Sequence, residues 1–230
     1  MAGCIFEWPT RALLPRLLLR AKRRKARSRT KARLMQALDI SLTVELYFAF
    51  DDPYSAVALP ALQKMTDDRA LELRLYPVVK RGIEGDPDIE LRRAYSLADA
   101  RRLAAEEGRE IARKEPLVPE DVSYLSAWAE EARDRESIQE FSVAAMDALW
   151  HLGWPPGDNE FRRIYERTVN KPPPDDVEWH AEQVRKNELR LRKKGHWDTP
   201  ACLVHGQWYF AHERIEQIAE RLDYLGWKHD

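Results

Sequence analysis

The chain is 230 residues long, 44% hydrophobic and 33% charged, with eight Trp, a composition that builds a core without metal or disulfide staples. Its two cysteines, Cys4 and Cys202, are too few for a disulfide framework or a Cys-rich zinc module, and the lack of any Cys-x-x-Cys pair excludes vicinal dithiol chemistry. The net charge of −1 conceals an asymmetry: residues 1–40 carry eleven Lys/Arg against Glu7 and Asp39, a net +9, so the rest of the chain carries −10.

The basic arm, about residues 10–38, has Leu14, Leu18, Ala21, Ser28, Ala32 and Met35 on one stripe of 3.6 period and is expected to be helical. Its leucines are broken by Pro15 and Arg16, and its charge follows the apolar stretch, the reverse of a secretory signal. A mitochondrial-type presequence fits the Arg richness but not Glu7 or the scarcity of Ser. Two other roles stay open: a solvated helix resting its few leucines on the body, or a contact with an anionic surface. No aromatics interleave the basic run and no nucleic-acid motif occurs. No apolar run approaches the roughly 18 residues of a transmembrane segment, and the missing signal and disulfides point to the cytoplasm.

Residues 43–50 alternate Val44, Leu46, Phe48 and Phe50 with Thr43, Glu45, Tyr47 and Ala49, which predicts a strand. Asp51-Asp52-Pro53 then predicts a turn into a helix reaching about Met65, with Asp52 as N-cap and Pro53 in the first helical position. A second alternating strand follows at 71–76, so the three elements form a βαβ unit with parallel strands. From Arg92 to about Lys194 only helices are expected. Leu97, Ala100, Ala104 and Ile111 form one buried stripe; Ile138, Phe141, Ala145, Ala148 and Leu152 form another. The last helix of this stretch, 177–194, is charged nearly all round. Strands 201–204 and 207–210 flank the two-residue turn His205-Gly206 as a hairpin, and a final helix carries Ile215, Ile218, Leu222 and Leu225 on one face.

The order βαβ, helices, ββα is that of a thioredoxin-like α/β sheet with an inserted all-helical domain. The expected divisions are a basic arm at 1–40, a first half at 41–91, the insertion at 92–194 and a second half at 195–230. In such a fold the reactive position lies where the first strand yields to its helix, because backbone N–H groups and the helix dipole favour negative charge there. Asp52, Tyr54 and Ser55 occupy it. Asp52 is read in two ways: as a helix cap worth about 1 kcal/mol, or as a general base towards a non-thiol substrate. Thr199-Pro200, just before the hairpin, suits a cis bond that exposes the backbone of Thr199. Cys202, His205 and His212 make no metal site, since residues three apart on a strand point to opposite faces. Trp128, Trp150, Trp154 and Trp197 either line a pocket between insertion and sheet or belong to the core.

Residues 46–56, Leu-Tyr-Phe-Ala-Phe-Asp-Asp-Pro-Tyr-Ser-Ala, resemble the first strand and active loop of the 2-hydroxychromene-2-carboxylate isomerase and kappa-class glutathione transferase branch of the DsbA-like thioredoxin superfamily. Residues 93–101 resemble that branch's insertion helix, and 195–214 its cis-proline hairpin. The resemblance implies glutathione as cofactor, no metal, and isomerisation or transfer on a conjugated substrate through a single thiol. By position, Asp52 stands where the family keeps its catalytic Ser. Thr199 and Pro200 match the pair that holds the cysteinyl part of glutathione. Glu213-Arg214 matches the family's Asp-Arg at its γ-glutamyl end. The Asp at 52 is a departure: a carboxylate beside a thiolate raises the thiol's pKa by like-charge repulsion. Ser55 would inherit the hydroxyl role if the loop rotates, and is otherwise expected as a surface residue of the first helical turn. The alternative reading is a catalytically degenerate member that binds a partner on its proline ledge. Opposite charges on arm and body also favour a homo-oligomer.

Overall fold

In the computed structural model the described residues are 29–38, 40–69, 71–157 and 159–228, so most of the basic arm and Cys4 lie outside them. The first described element is α1 (29–37). Then come β1 (Thr43–Phe48), α2 (Pro53–Asp67), β2 (Glu72–Pro77), α3 (Ile89–Glu106), α4 (Pro119–Arg133), α5 (Ile138–Met146), α6 (Asn159–Val169), α7 (Glu178–Lys193), β3 (Ala201–Val204), β4 (Gln207–Phe210) and α8 (Ile215–Leu225). The sheet order is β2-β1-β3-β4, with β1 and β2 parallel and the other pairs antiparallel. This is the thioredoxin-like α/β arrangement that the element order predicts, with α3 to α7 inserted between the two halves.

Period 2 puts the two halves of β1 on different faces. Val44, Leu46, Phe48 and Phe50 enter the main core with α2, α5 and α8, while Tyr47 and Ala49 join Tyr76, Val78, Ala201 and Leu191 of α7 in a smaller core behind the sheet. The hairpin turn has His205 at φ 46° and Gly206 at φ 82°, the pair of positive values a two-residue turn requires.

β2 ends the sheet on one side, and the insertion covers that edge. The carbonyls of Leu73, Leu75 and Pro77 accept from Gln139 of α5 (3.0 Å), Arg133 of α4 and Asn187 of α7 (3.0 Å). Alternate carbonyls on one strand edge are thus capped by three helices, which closes the edge to other chains. Arg133 and Asn187 also converge on the buried Glu130, so the capping groups are themselves paired.

The sequence predicts one α-helix over the buried stripe 138–152, but the chain makes a π-helical turn at Asp147–His151. The extra residue in that turn rotates the following side chains, so Trp150 is fully buried and Leu152 is left 54% exposed. Ile111 is buried from a loop, because α3 ends at Glu106. Of the four tryptophans, Trp128 and Trp150 are core, Trp154 packs on the core's edge and Trp197 is 48% exposed. They line no common pocket among the described residues.

The described end of the arm docks on α8. Ala32 is fully buried, Met35 packs on the core, and Gln36 Nε2 donates to the Gly226 carbonyl at 2.9 Å. Gly226 caps α8 at φ 106°, and any side chain there would strike Gln36 at 2.7 Å, so this residue serves both the helix end and the contact. The predicted stripe residues Leu14, Leu18, Ala21 and Ser28 lie outside the described residues.

Candidate active site at the start of the first helix

β1 delivers the chain to Asp51-Asp52, where Pro53 starts α2. Asp52 is 5% exposed. Its Oδ1 accepts from the backbone N–H of Tyr54 at 3.1 Å, the predicted cap. Its Oδ2 accepts from the Ser55 hydroxyl at 2.6 Å and from the Thr199 hydroxyl at 2.9 Å. The last bond spans the gap between the active loop and the proline loop, which are 147 residues apart in sequence. The Thr199–Pro200 peptide is cis, and the Pro200 carbonyl accepts from Ala211 N at 2.8 Å, which ties the ledge to the turn after β4.

Burial pushes the Asp52 carboxyl up, from 3.8 to about 6; the nearby Arg81 and the two hydroxyl donors pull it down by less. Asp51 beside it is held differently. Arg81 grips it with both guanidinium nitrogens, at 2.8 and 2.9 Å, and reaches Asp198 at 3.9 Å. Of the two adjacent acids, Asp51 is paired with the fork of Arg81, while Asp52 is held by two hydroxyls and the Tyr54 N–H.

Tyr54 and Ser55 take opposite places. Ser55 is fully buried, giving its proton to Asp52 and accepting from Ala49 N at 3.3 Å. Tyr54 turns outward: its hydroxyl donates to Asp99 of α3 at 3.0 Å, and its ring stacks on His212 at 3.8 Å between centroids. Burial and the bond to Asp99 push the Tyr54 phenol up, so it stays a donor, and burial pushes His212 down toward its neutral form. Glu213 and Arg214 are exposed, on the segment that Ala211 ties to Pro200. The structure therefore brings Asp52, Ser55, Thr199 and Pro200 into one cluster, with Tyr54 at its rim and Glu213-Arg214 beyond the ledge.

Arg81, Asp99 and His212 were not picked out from the sequence. For Arg81 a signal existed. β1 and β2 are parallel, so the residues just past β2 must lie beside those just past β1, and the basic pair Lys80-Arg81 there faces two acids. Asp99 and His212 gave no such signal. Cys202, the described cysteine, sits in the core on β3, and burial pushes its thiol far up.

Removing the Thr199 hydroxyl tests the cluster. Thr199→Val keeps the shape but takes one donor from the ionised form of Asp52. The Asp52 carboxyl should then titrate about one pH unit higher by carbon NMR. An unchanged midpoint would show that the Thr199 bond does not bear on the charge.

No family model and no curated relative matches this chain. Solved structures do. The chain is similar to 2-hydroxychromene-2-carboxylate isomerase, at 15% identity and a TM-score of 0.66 over 80% of this chain and 96% of that one. It is similar also to a probable DsbA oxidoreductase from Streptomyces coelicolor, at 14% identity and 0.58 over 80% and 89%. The chain has a DsbA-like thioredoxin fold. In this setting Asp52 stands at the head of the helix that follows the first strand of the fold, facing the cis-proline loop. Among the described residues no helix is long and apolar enough to cross a membrane.

Proposed function

We propose that the protein is a one-thiol enzyme of the glutathione-dependent isomerase or transferase type, in which Asp52 takes and returns the thiol proton. The supporting observation is a carboxyl with a pKa of about 6 at the N-terminus of α2, opposite the Thr199-Pro200 ledge. A thiol of ordinary pKa near 8.5 would give its proton to this group at a cost of about 3 kcal/mol, against about 6 kcal/mol for an ordinary Asp. The products are a thiolate and a neutral carboxylic acid, so no like-charge repulsion arises, and the acid proton can hydrogen-bond the sulfur. The thiolate would add to a conjugated double bond; the former double bond, now single, would rotate. Expulsion of the thiolate then restores the double bond, and Asp52 returns the proton. Thr199 and Pro200 would hold the cysteinyl backbone, and Arg214 with Glu213 the γ-glutamyl end. Asp52 and Ser55 stand in the two positions where a dithiol oxidoreductase would carry cysteines, which supports a one-thiol rather than a dithiol reading.

A second reading has its own support. Three donors already hold Asp52, and Ser55 is sealed from solvent, which suits a latch between two loops in a binding module without catalysis. Thermal unfolding with saturating reduced glutathione separates the two. The enzyme reading expects a rise of several degrees in the midpoint, lost in Arg214→Ala, because a ligand at 100 times its Kd adds about 2.7 kcal/mol. A midpoint that does not move rejects the glutathione reading and leaves the module.

A further inference from the structure

A groove of about 570 Å³ runs between β4 and α8, lined by Trp208, Phe210, Arg214, Gln217, Arg221 and Tyr224 among others. One wall is a free sheet edge. β4 ends the sheet, and because Val204 and Gln207 form the hydrogen-bonded pair beside the two-residue turn, the backbone groups of Trp208 and Phe210 point away from β3. The far edge of the same sheet is capped by Gln139, Arg133 and Asn187, whereas no described residue caps this one. An uncovered edge flanked by aromatic side chains invites a strand or an apolar segment.

The chain itself leads into this groove. Arg29, the first described residue, sets its guanidinium 5.3 Å over the ring of Tyr224, which lines the groove's end. Twenty-eight residues precede it. Residues 20–28 carry six Lys/Arg and no acid, and residues 5–19 carry Ile5, Phe6, Trp8 and five leucines. On α8, Glu216, Glu220 and Asp223 form an exposed acidic stripe at i, i+4, i+7 spacing beside residues 217, 221 and 224; Glu220 itself lines the groove, and Asp223 also pairs with Arg69 at 3.3 Å. From Tyr224 to Arg214 the groove runs about 15 Å along the helix. Nine residues span about 14 Å as helix or about 30 Å extended, so residues 20–28 reach that distance either way.

We propose that the N-terminal segment docks on its own body: residues 20–28 along the acidic stripe of α8, and residues 5–19 in the groove against the open edge of β4. This reading is independent of any thiol chemistry at Asp52. It gives the +9 arm and the −10 body a common purpose and covers the sheet edge that the described residues leave open.

The native cysteines provide the test in the 230-residue chain. Cys4 lies in the arm, and Cys202 is buried and unreactive. With Gln217→Cys added in the groove, a short bismaleimide should join residues 4 and 217 within one molecule. The rate should be at least ten times that for a control cysteine at exposed Glu140 on α5. Amide exchange at Trp208 and Phe210 should be slow in the full chain and accelerate in Leu18→Asp. Equal cross-linking at both positions, cross-links only between copies, or fast exchange at Trp208 and Phe210 in the unaltered chain would overturn the proposal.

Discussion

Asp52→Asn is expected to raise the stability of the protein at pH 7 to 8, by up to about 3 kcal/mol, and to lose that advantage in acid. The folded state holds the Asp52 carboxyl near 6, above its ordinary 3.8, chiefly through burial. Between these two values the folded state therefore binds more protons than the unfolded state, so stability falls as pH rises through the window. Above pH 6 the full cost of ionising a buried acid is carried, and below about 4 it is gone. Asn matches the neutral acid in shape: its oxygen accepts from Tyr54 N, and its amide can meet the hydroxyls of Ser55 and Thr199. Thermal melts of the two proteins from pH 4 to pH 8 measure this directly. The gap should be several degrees at pH 8 and close as the pH approaches 4. An Asn variant no more stable than the parent at pH 8, or a gap independent of pH, would refute the buried-charge account.

The same cluster shows what a sequence reveals and what it withholds. The capping role of Asp52 was legible because the N-cap, Pro53 and the helix they start are adjacent, and the cap bond to Tyr54 spans two residues. The alternating residues of β1 named the core face for the same reason: a period of two is a local property. The bond from Thr199 was foreshadowed only by element order, which set the proline loop opposite the active loop. The grip of Arg81 on Asp51, the Tyr54–Asp99 bond and the His212 stack join residues 30 or more positions apart. No periodicity encodes such pairings; they follow from how α3 and the turn after β4 settle on the sheet. The π-helical turn was hidden for a related reason. A helical pattern assumes a fixed 3.6 period, and one inserted residue at Asp147–His151 shifts every position beyond it.

That turn leads to the second large effect, at Trp150. Its ring is fully buried, and its Nε1 donates to the carbonyl of Phe50 at 2.9 Å, immediately before the two acids. The helical insertion thus touches the backbone of the active loop through this indole, which sits in the π turn. Trp150→Ala should cost about 3–5 kcal/mol, from the lost ring and the cavity left behind. Trp150→Phe retains most of the packing but leaves the Phe50 carbonyl without its donor, for about 1–2 kcal/mol. The milder variant is the more informative. If the indole bond fixes the loop, Trp150→Phe should speed amide exchange at Asp52 and Ser55, whose N–H groups bond Ala49 O and Asp52 O, while leaving α6 unchanged. Faster exchange throughout the molecule would instead mean a general loss of stability. No change at Asp52 would mean that Pro53 and the Arg81 fork hold the loop without the insertion, which would then serve the sheet edge at β2 alone.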